Sequence, residues 1–464
     1  MAPNAPPRRG ARKMARRPRL EPRETRAEAT QAFLGRAADL AAEFAAGTPP
    51  RRIRSFSEAA PDDLRPALAI LSEIPDLGLV VHGPRGCGVR APGPAPLAVT
   101  DLDQRDTVLG SGEVLAETLR ALDAACPVAA IAVLGSPVVA INSDDIRATV
   151  AALGPELGKP VVWVRTEGVR SAVPATGGDA AAEALLQLVE TQNGPREPGL
   201  LNLLTSTRSP ELAALAGQIE GLGWRVNILP AGARVAEIAL AGRAEASLVL
   251  APDLLGLFAE GLETRFGVTR LDVALPLGAQ ATVAVLRRVA ALGGAAAPPA
   301  PPRSPSQPLA GRRFALALPT AWGLAAAELI GDLGGTVAVL SVPHLDRSHA
   351  AALGSLAERW PDLQIHVGEG QGFELAGLLR RTAPDLLLGA GDAVVVALRQ
   401  GLPAAVLDPA RLIGAAAPEV LTEAVDIALA RWALVRGAVQ NARPGYTPGW
   451  LKRSPDWHIK QEVR

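Results

Sequence analysis

A chain of 464 residues is long enough for about three domains, and hydrophobic residues make up 48% of it, which is ample for several buried cores. Lys+Arg and Asp+Glu each number 47, so no overall charge points to a nucleic acid or a membrane as a partner. Two cysteines exclude a disulfide framework and fit a reducing compartment, so we expect a cytoplasmic protein. No run approaches the roughly 18 apolar residues of a membrane span, and nothing resembles a signal peptide.

The first 46 residues divide into a basic arm and a helix. Residues 1–30 combine many arginines with prolines and little apolar periodicity, which is typical of a disordered, solvated arm. Contact of this charge with a partner is the alternative. In residues 27–46, Ala, Leu and Phe recur at spacings of three and four, which predicts a first helix.

Short apolar runs then alternate with amphipathic stretches in three rounds. Apolar strands separated by helices are typical of a parallel sheet covered on both faces, so each round predicts one domain. The predicted strands are Leu77–Val81, Ala129–Leu134 and Val161–Arg165, then Gly199–Leu204, Arg225–Leu229 and Ala246–Ala251, and finally Arg313–Leu318, Val337–Ser341, Leu363–Val367, Leu386–Gly389 and Ala404–Leu407.

The predicted fold class is therefore α/β, with three Rossmann-like domains in series, each a parallel sheet flanked by helices. Prolines exclude a regular helix or a central strand from the segment between the second and third domains. The predicted boundaries are a basic arm at 1–30, a first domain at 31–197, a second at 198–293, a Pro-rich linker at 294–310, a third domain at 311–440 and a C-terminal tail at 441–464.

A turn that ends in a thiol follows the first strand. In His82-Gly-Pro-Arg-Gly-Cys87, Gly83 and Gly86 leave backbone without Cβ atoms, which a bulky group can approach closely. Cys87 at this place is a candidate iron ligand, and the alternative is an ordinary turn with a small buried side chain. Ligands of doubly wound sheets collect beyond the carboxyl ends of the strands, which also makes Ser136 and Thr166–Gly168 candidates.

No round carries a complete nucleotide-binding motif. Gly110-Ser111-Gly112 precedes a helix and Gly389-Ala390-Gly391-Asp392 ends a strand, but neither completes a dinucleotide fingerprint or a P-loop. The sequence therefore gives little support to ATP binding by this chain.

The order of several short motifs resembles the nitrogenase component 1 family over roughly residues 50–440. That family includes the molybdenum–iron protein subunits, the cofactor-assembly scaffold subunits, and the protochlorophyllide and chlorophyllide reductases. The markers are, in chain order, His82–Cys87, Thr100–Gly110, Leu134–Val138, Asn142–Ile146, Lys159–Val161, Leu222–Pro230, Phe266–Gly267, Leu275–Thr282, Gly311–Arg313 and Pro384–Gly389.

The resemblance implies a pair of homologous chains, α-type and β-type, that share an iron–sulfur cluster where their first domains meet. It also implies a separate iron protein, driven by ATP, that docks over the cluster and passes electrons in. The expected assembly is an α2β2 heterotetramer, and the expected cofactor is a 4Fe-4S cluster. We expect neither a nucleic acid nor a membrane as a partner.

This chain departs from the family's three-cysteine pattern. Only Cys87 matches; the upstream position falls in Arg54–Ser57, which has no cysteine, and the later one is Ser136. A four-iron cluster takes about four thiolates, so this chain would supply Cys87 and a partner would supply the other three. Ser136 as a hydroxyl ligand is a weaker alternative, and Cys126 is expected to be inert filler. The predicted cofactor site consists of Cys87, Gly83, Gly86 and Ser136, with Cys87 as the metal ligand.

Other candidate residues carry open alternatives. His344, His349 and His366 are expected in surface or packing roles, since the family's cofactor-ligating cysteine and histidine are missing from the second and third domains. Asp101, Asp103 and Asp106 either orient a docking surface or cap a helix near Val108–Leu119. In the tail, Trp457 either anchors on a partner or folds back onto the chain itself.

The leading hypothesis is a β-type subunit of a nitrogenase-like reductase that receives low-potential electrons. The first alternative is a non-catalytic scaffold subunit for metallocluster assembly, which the missing cofactor ligands favour. The second is a degenerate structural subunit without metal, or a protein that binds a small ligand between its domains.

Overall fold

The computed structural model describes most of the chain. The described residues are 29–47, 49–58, 63–87, 91–166, 174–192, 194–299, 301, 306–441 and 446–461. Most of the predicted basic arm at 1–30 lies outside them, as do Glu167 and Gly168 and part of the predicted linker. No described helix combines the length and the hydropathy that crossing a bilayer requires.

The first sheet is parallel, with strand order β4-β3-β5-β6. Every residue of β3 and β5 is buried, because helices cover both faces of the sheet. The elements of this part of the chain are β1 (Phe33–Arg36), α1 (Ala37–Ala46), β2 (Arg52–Arg54), α2 (Leu64–Leu71), β3 (Leu77–His82), β4 (Leu97–Val99), α3 (Gln104–Leu109), α4 (Gly112–Ala125), β5 (Ala130–Gly135), α5 (Pro137–Asn142), α6 (Ile146–Leu157), β6 (Val161–Val164) and α7 (Pro174–Val189).

The second sheet is also parallel, with strand order β10-β9-β7-β8. Its elements are β7 (Leu200–Thr205), α8 (Pro210–Glu220), β8 (Arg225–Pro230), α9 (Val235–Leu240), β9 (Ala246–Val249), α10 (Pro252–Phe266), β10 (Thr269–Leu271) and α11 (Gly278–Gly293). Helix α10 packs against α7, so one apolar core is continuous between the first two sheets.

The third sheet has six strands in the order β1-β13-β12-β11-β14-β15. Its five C-terminal strands are parallel, which confirms the predicted α/β class of parallel sheets flanked by helices. The remaining elements are β11 (Arg313–Ala317), α12 (Thr320–Asp332), β12 (Thr336–Val342), α13 (Ala350–Arg359), β13 (Gln364–Val367), α14 (Gly372–Thr382), β14 (Leu386–Gly389), α15 (Gly391–Arg399), β15 (Ala404–Val406), α16 (Ala417–Asn441), α17 (Pro448–Leu451) and β16 (Ile459–Gln461).

The prediction of a helix over residues 27–46 is wrong for the residues before Ala37. Phe33–Arg36 forms a strand that pairs antiparallel with β13, and the helix begins only at Ala37. Phe33 is buried in the core beneath that sheet, and the edge of β13 supplies the backbone partners. Long-range pairing therefore overrides the local helical pattern. This segment lies with the third sheet and not with the first domain, where the sequence placed it.

The C-terminal tail folds back onto its own chain. Strand β16 pairs antiparallel with β2, and one buried carboxylate, Glu374 of α14, joins both strands to the third sheet. Glu374 accepts hydrogen bonds from Arg54 at 2.7 and 2.9 Å, from His366 at 2.9 Å and from His458 at 2.7 Å. Burial alone would raise the pKa of Glu374, but the hydrogen bonds from Arg54 and His366 lower it to about 2. Of the two alternatives for the tail, the structure shows the fold-back.

Candidate functional site at the carboxyl edge of the first sheet

Strands β3 and β5 end side by side and bring the predicted site residues together. His82 closes β3 opposite Gly135, the last residue of β5. The Ser136 N–H donates to the His82 carbonyl at 2.9 Å, so the loop that begins at Ser136 lies beside the turn that leads to Cys87. Both loops lie at the carboxyl edge of a parallel sheet, as the sequence predicted.

The turn that carries Cys87 is held by its neighbour after β4. The Gly83 N–H donates to Thr100 Oγ1 at 2.9 Å, and the Leu102 N–H donates to the Gly83 carbonyl at 3.2 Å. Asp101 accepts from the Arg85 N–H at 3.1 Å and from the Arg85 guanidinium at 2.5 Å. The turn is therefore fixed at its start by backbone and side-chain contacts.

The described residues leave the space beside Gly86 open. Arg85–Cys87 forms a single 3₁₀ turn, and a Cβ built on Gly86 meets no atom of the described residues within 4 Å. The side chain of Cys87 is not among the described parts of the chain, so its role as a ligand stays a prediction. Gly86 therefore leaves room for an external group and is not required for close packing against any described residue.

Ser136 contributes a buried hydroxyl without a partner. Its side chain is fully buried, and Ser136 Oγ has no hydrogen-bond partner among the described residues. A buried polar atom without a hydrogen-bond partner costs free energy, so this hydroxyl is available to a further group. The orphaned oxygen lies on the residue that the sequence singled out beside Cys87.

His82 lies beneath the turn and is bonded at both ring nitrogens. Its Nδ1 lies 3.2 Å from Thr100 Oγ1 and its Nε2 lies 2.9 Å from Ser111 Oγ. Ser111 Oγ also makes a short hydrogen bond to Asp144 Oδ2. Burial lowers the pKa of His82 to about 4, and the charge of Asp144 only partly offsets it. The imidazole is therefore neutral at physiological pH.

This edge of the sheet exposes three large apolar side chains. Val108 and Leu109 of α3 are 81% and 71% exposed, and Ile141 of α5 is 69% exposed. The two short helices lie together, since Asn142 Nδ2 donates to the Thr107 carbonyl at 2.8 Å. Clustered exposed apolar side chains are typical of interaction surfaces. The sequence analysis missed α3 and α5 as helices and therefore missed this surface.

The three aspartates after β4 have structural roles. Asp103 caps α3 by accepting from the Asp106 N–H at 2.8 Å, and Asp106 accepts from the Asp103 N–H at 3.2 Å. The backbone hydrogen bond from Asp106 lowers the pKa of Asp103. Asp101, with a φ of 52°, pairs with Arg85. Asp103 and Asp106 therefore form a helix cap, but the helix is α3 and not the one predicted near Val108–Leu119.

The histidines of the third domain are packed inside the chain. His344, His349 and His366 are all buried, so the surface alternative is wrong and the packing alternative is confirmed. His349 Nε2 lies 3.0 Å from Asp253 Oδ1, and His366 Nδ1 lies 2.8 Å from Ser341 Oγ. The described residues hold no group of three or more His, Cys, Asp or Glu arranged for a metal ion.

The second cysteine does not join the site. Cys126 is a free, half-buried thiol that packs against the apolar core on one face of the first sheet. This position agrees with the filler role predicted for it. Within the described part of the chain, no second thiol accompanies the Cys87 turn.

Comparison with known proteins identifies a matching family and several similar proteins. A family model for nitrogenase component 1 type oxidoreductases matches residues 64–409. The chain is 25% identical over 375 residues to the nitrogenase iron-molybdenum cofactor biosynthesis protein NifE of Methanococcus maripaludis, covering 73% of this chain and 75% of that protein. It is 30% identical over 242 residues to NifE of Sinorhizobium fredii, covering 49% of this chain and 48% of that protein.

Two solved structures share the fold. The structure titled "Nitrogenase Cp1 at pH 5" matches with a TM-score of 0.63 at 16% identity, covering 87% of this chain and 92% of that one. "Nitrogenase Cp1 at pH 6.5" matches with a TM-score of 0.69 at 14% identity, covering 82% and 94%. At these identities the matches support the three-sheet architecture and say nothing of individual site residues.

Proposed function

Because this chain belongs to the nitrogenase component 1 type oxidoreductase family, we propose that it is a subunit that shares an iron–sulfur cluster with a homologous partner chain. Members of this family bind iron–sulfur clusters and form complexes with homologous subunits and an iron protein. The observation that carries the proposal is the meeting of the Cys87 turn and the Ser136 loop at one sheet edge. Both flank an exposed apolar surface.

The candidate ligands fit a chain that supplies only one of the thiolates of a shared cluster. Thiolates are the usual ligands of iron–sulfur clusters, and the turn offers one, Cys87. Gly86 leaves the turn open to an external group on the side of the described residues, and Ser136 Oγ is an oxygen with no other partner among them. A bound cluster would supply one-electron redox chemistry. The chain's own residues would hold it and exclude water.

The apolar surface at Val108, Leu109 and Ile141 suits the partner chain. If these side chains were buried against the first domain of the partner chain, three thiolates of the partner would come close to the single thiolate of this chain. The proposal includes an α-type partner, an ATP-dependent iron protein as electron donor and an α2β2 assembly. A thiolate-ligated cluster needs reducing surroundings, so the complex belongs in the cytoplasm.

Within this frame we place the chain as the β-type subunit of a nitrogenase-like oxidoreductase, and a scaffold subunit for cofactor assembly is the second candidate. The names of the NifE relatives favour the scaffold. The two roles differ in the fate of the cluster, since a reductase retains it through turnover and a scaffold releases it to an acceptor.

The test is anaerobic co-expression with a homologous α-type chain. We expect iron in the purified complex of the wild type and of Cys126→Ala, and loss or spectral change of the cluster in Cys87→Ala. An iron-free wild-type complex, or a Cys87→Ala complex with an unchanged spectrum, would overturn the proposal. Transfer of the cluster to an apo-acceptor would assign the scaffold role, and turnover of a substrate with retained iron would assign the reductase role.

A further inference from the structure

Four polar side chains beneath the cysteine turn form a chain of hydrogen bonds across four loops. Thr100 follows β4, His82 ends β3, Ser111 precedes α4, and Asp144 precedes α6. Thr100, His82 and Ser111 are all buried, and the side chain of Asp144 is 11% exposed. This series of hydrogen bonds, which we call the relay, therefore runs from the partly exposed Asp144 to Gly83, the first residue of the turn after β3.

The donors and acceptors fix the protons between Asp144 and His82. A carboxylate only accepts, so the short contact between Ser111 and Asp144 takes the hydroxyl proton of Ser111. Ser111 Oγ must then accept from His82 Nε2–H, at 2.9 Å. Because burial keeps His82 neutral, its Nδ1 carries no proton, and the Thr100 hydroxyl lies 3.2 Å both from this nitrogen and from the Gly83 carbonyl.

The last link reaches the backbone of the turn. Thr100 Oγ1 accepts from the Gly83 N–H, at 2.9 Å, and its hydroxyl also reaches the Gly83 carbonyl, at 3.2 Å. The contacts therefore run in sequence from Gly83 through Thr100, His82 and Ser111 to Asp144. Neighbouring hydrogen bonds in such a chain strengthen one another by polarisation.

We propose that Thr100, His82, Ser111 and Asp144 are positioning residues that hold the Gly83 end of the cysteine turn in one orientation for the shared cluster. This role rests on the proposed function, while the hydrogen-bond relay itself does not. In protein metal sites, hydrogen-bonded residues behind the ligands fix ligand orientation and tune the bound group. Here the relay joins the turn that carries Cys87 to the partly exposed carboxylate of Asp144.

The variants are Ser111→Ala, which breaks the relay at its middle, and Asp144→Asn, which removes its terminal charge. Ser111→Thr restores the hydroxyl and is the rescue variant. Asp145→Asn is the matched control, because it removes the same charge one residue away and keeps the cap that Asp145 provides to the Ala148 N–H.

The first readout uses the full chain without any cluster. Hydrogen–deuterium exchange of a peptide spanning residues 80–86 reports the Gly83 amide, and we expect exchange about tenfold faster in Ser111→Ala and Asp144→Asn, the size of one lost hydrogen bond. We expect Ser111→Thr and Asp145→Asn to exchange as the wild type does. Unchanged exchange in both relay variants would overturn the relay.

The second readout uses the complex with its partner. We expect the electron paramagnetic resonance spectrum and the midpoint potential of the cluster to shift in Ser111→Ala and Asp144→Asn but not in Asp145→Asn. A wild-type complex without iron would defeat the proposed function and leave the exchange result standing. A wild-type cluster whose spectrum and potential are the same in both relay variants would defeat the positioning role alone.

Discussion

Raising the pH should weaken a buried ionic bridge between the second and third domains. His349, just before α13, lies 3.0 Å from Asp253 of α10 and 3.0 Å from Asp346. Asp253 also accepts from the Ala321 N–H of α12 at 2.9 Å, so one carboxylate of the second domain binds two segments of the third. Burial alone would lower the pKa of His349, but hydrogen bonds and charges from the two aspartates raise it to about 9.

The size and sign of the effect follow from that pKa. Each pKa unit corresponds to about 1.4 kcal/mol, so raising the pKa of His349 from 6.5 to about 9 contributes about 3 kcal/mol to stability. The folded state binds this proton more tightly than the unfolded chain. The contribution is therefore fully present below pH 6.5 and is lost as the pH rises through about 9.

The assay is urea unfolding between about pH 6.5 and pH 9.5, for the wild type and for His349→Gln. We expect the wild type to lose about 3 kcal/mol more than the variant over this range, because the glutamine side chain of the variant cannot titrate. With five histidines in the chain, the titration of His349 can also be followed directly by nuclear magnetic resonance. Parallel curves for the two proteins would refute the reasoning.

Three further predictions concern the buried carboxylate of Glu374, the contact between α7 and α10, and the exposed apolar surface. Glu374→Gln removes the buried charge that pairs with Arg54, so it should lower the free energy of unfolding by about 3–5 kcal/mol. Glu423→Gln, in an exposed pair with Arg411, should change it by less than about 1 kcal/mol, and equal losses in the two variants would contradict the role given to Glu374. Gly178→Ala places a Cβ 2.6 Å from the Leu254 carbonyl where α7 meets α10, so it should cost about 1–3 kcal/mol in thermal unfolding. Gly217→Ala on α8 has open space and should not destabilise, and a loss equal to that of Gly178→Ala would show that the helix contact is irrelevant. Val108→Ser with Ile141→Ser should weaken partner binding about tenfold at unchanged stability, and undiminished binding would remove this surface from the interface.

The sequence predicts the sheets well because their strands are buried on both faces. Strands β3 and β5 are continuous apolar runs bounded by turn residues, and the structure places them within a residue of the predicted limits. Phe33–Arg36 was missed because its partner strand, β13, lies more than 300 residues away in the sequence. Three-residue strands such as β10 carry too few residues for a pattern.

The sequence predicts where the candidate ligands lie in the fold, but it does not predict the residues that support them. The turn before Cys87 and the loop at Ser136 follow strands, so the topology of parallel sheets brings them to one edge. The relay was missed because Thr100, Ser111 and Asp144 lie 18, 29 and 62 residues from His82, and no spacing joins them. One signal was available: Thr100 follows β4 as Ser136 follows β5, so the same edge rule points to it.

The measurement that tests the central claim most directly is hyperfine coupling between the cluster and this chain's own sulfur ligand. In Cys126→Ala, Cys87 is the one cysteine left, so labelling this chain alone with ¹³Cβ-cysteine marks a single position. We predict that pulsed electron paramagnetic resonance of the reduced complex shows ¹³C coupling to the cluster spin. A cluster signal of full intensity without ¹³C coupling would contradict the claim that Cys87 is a ligand.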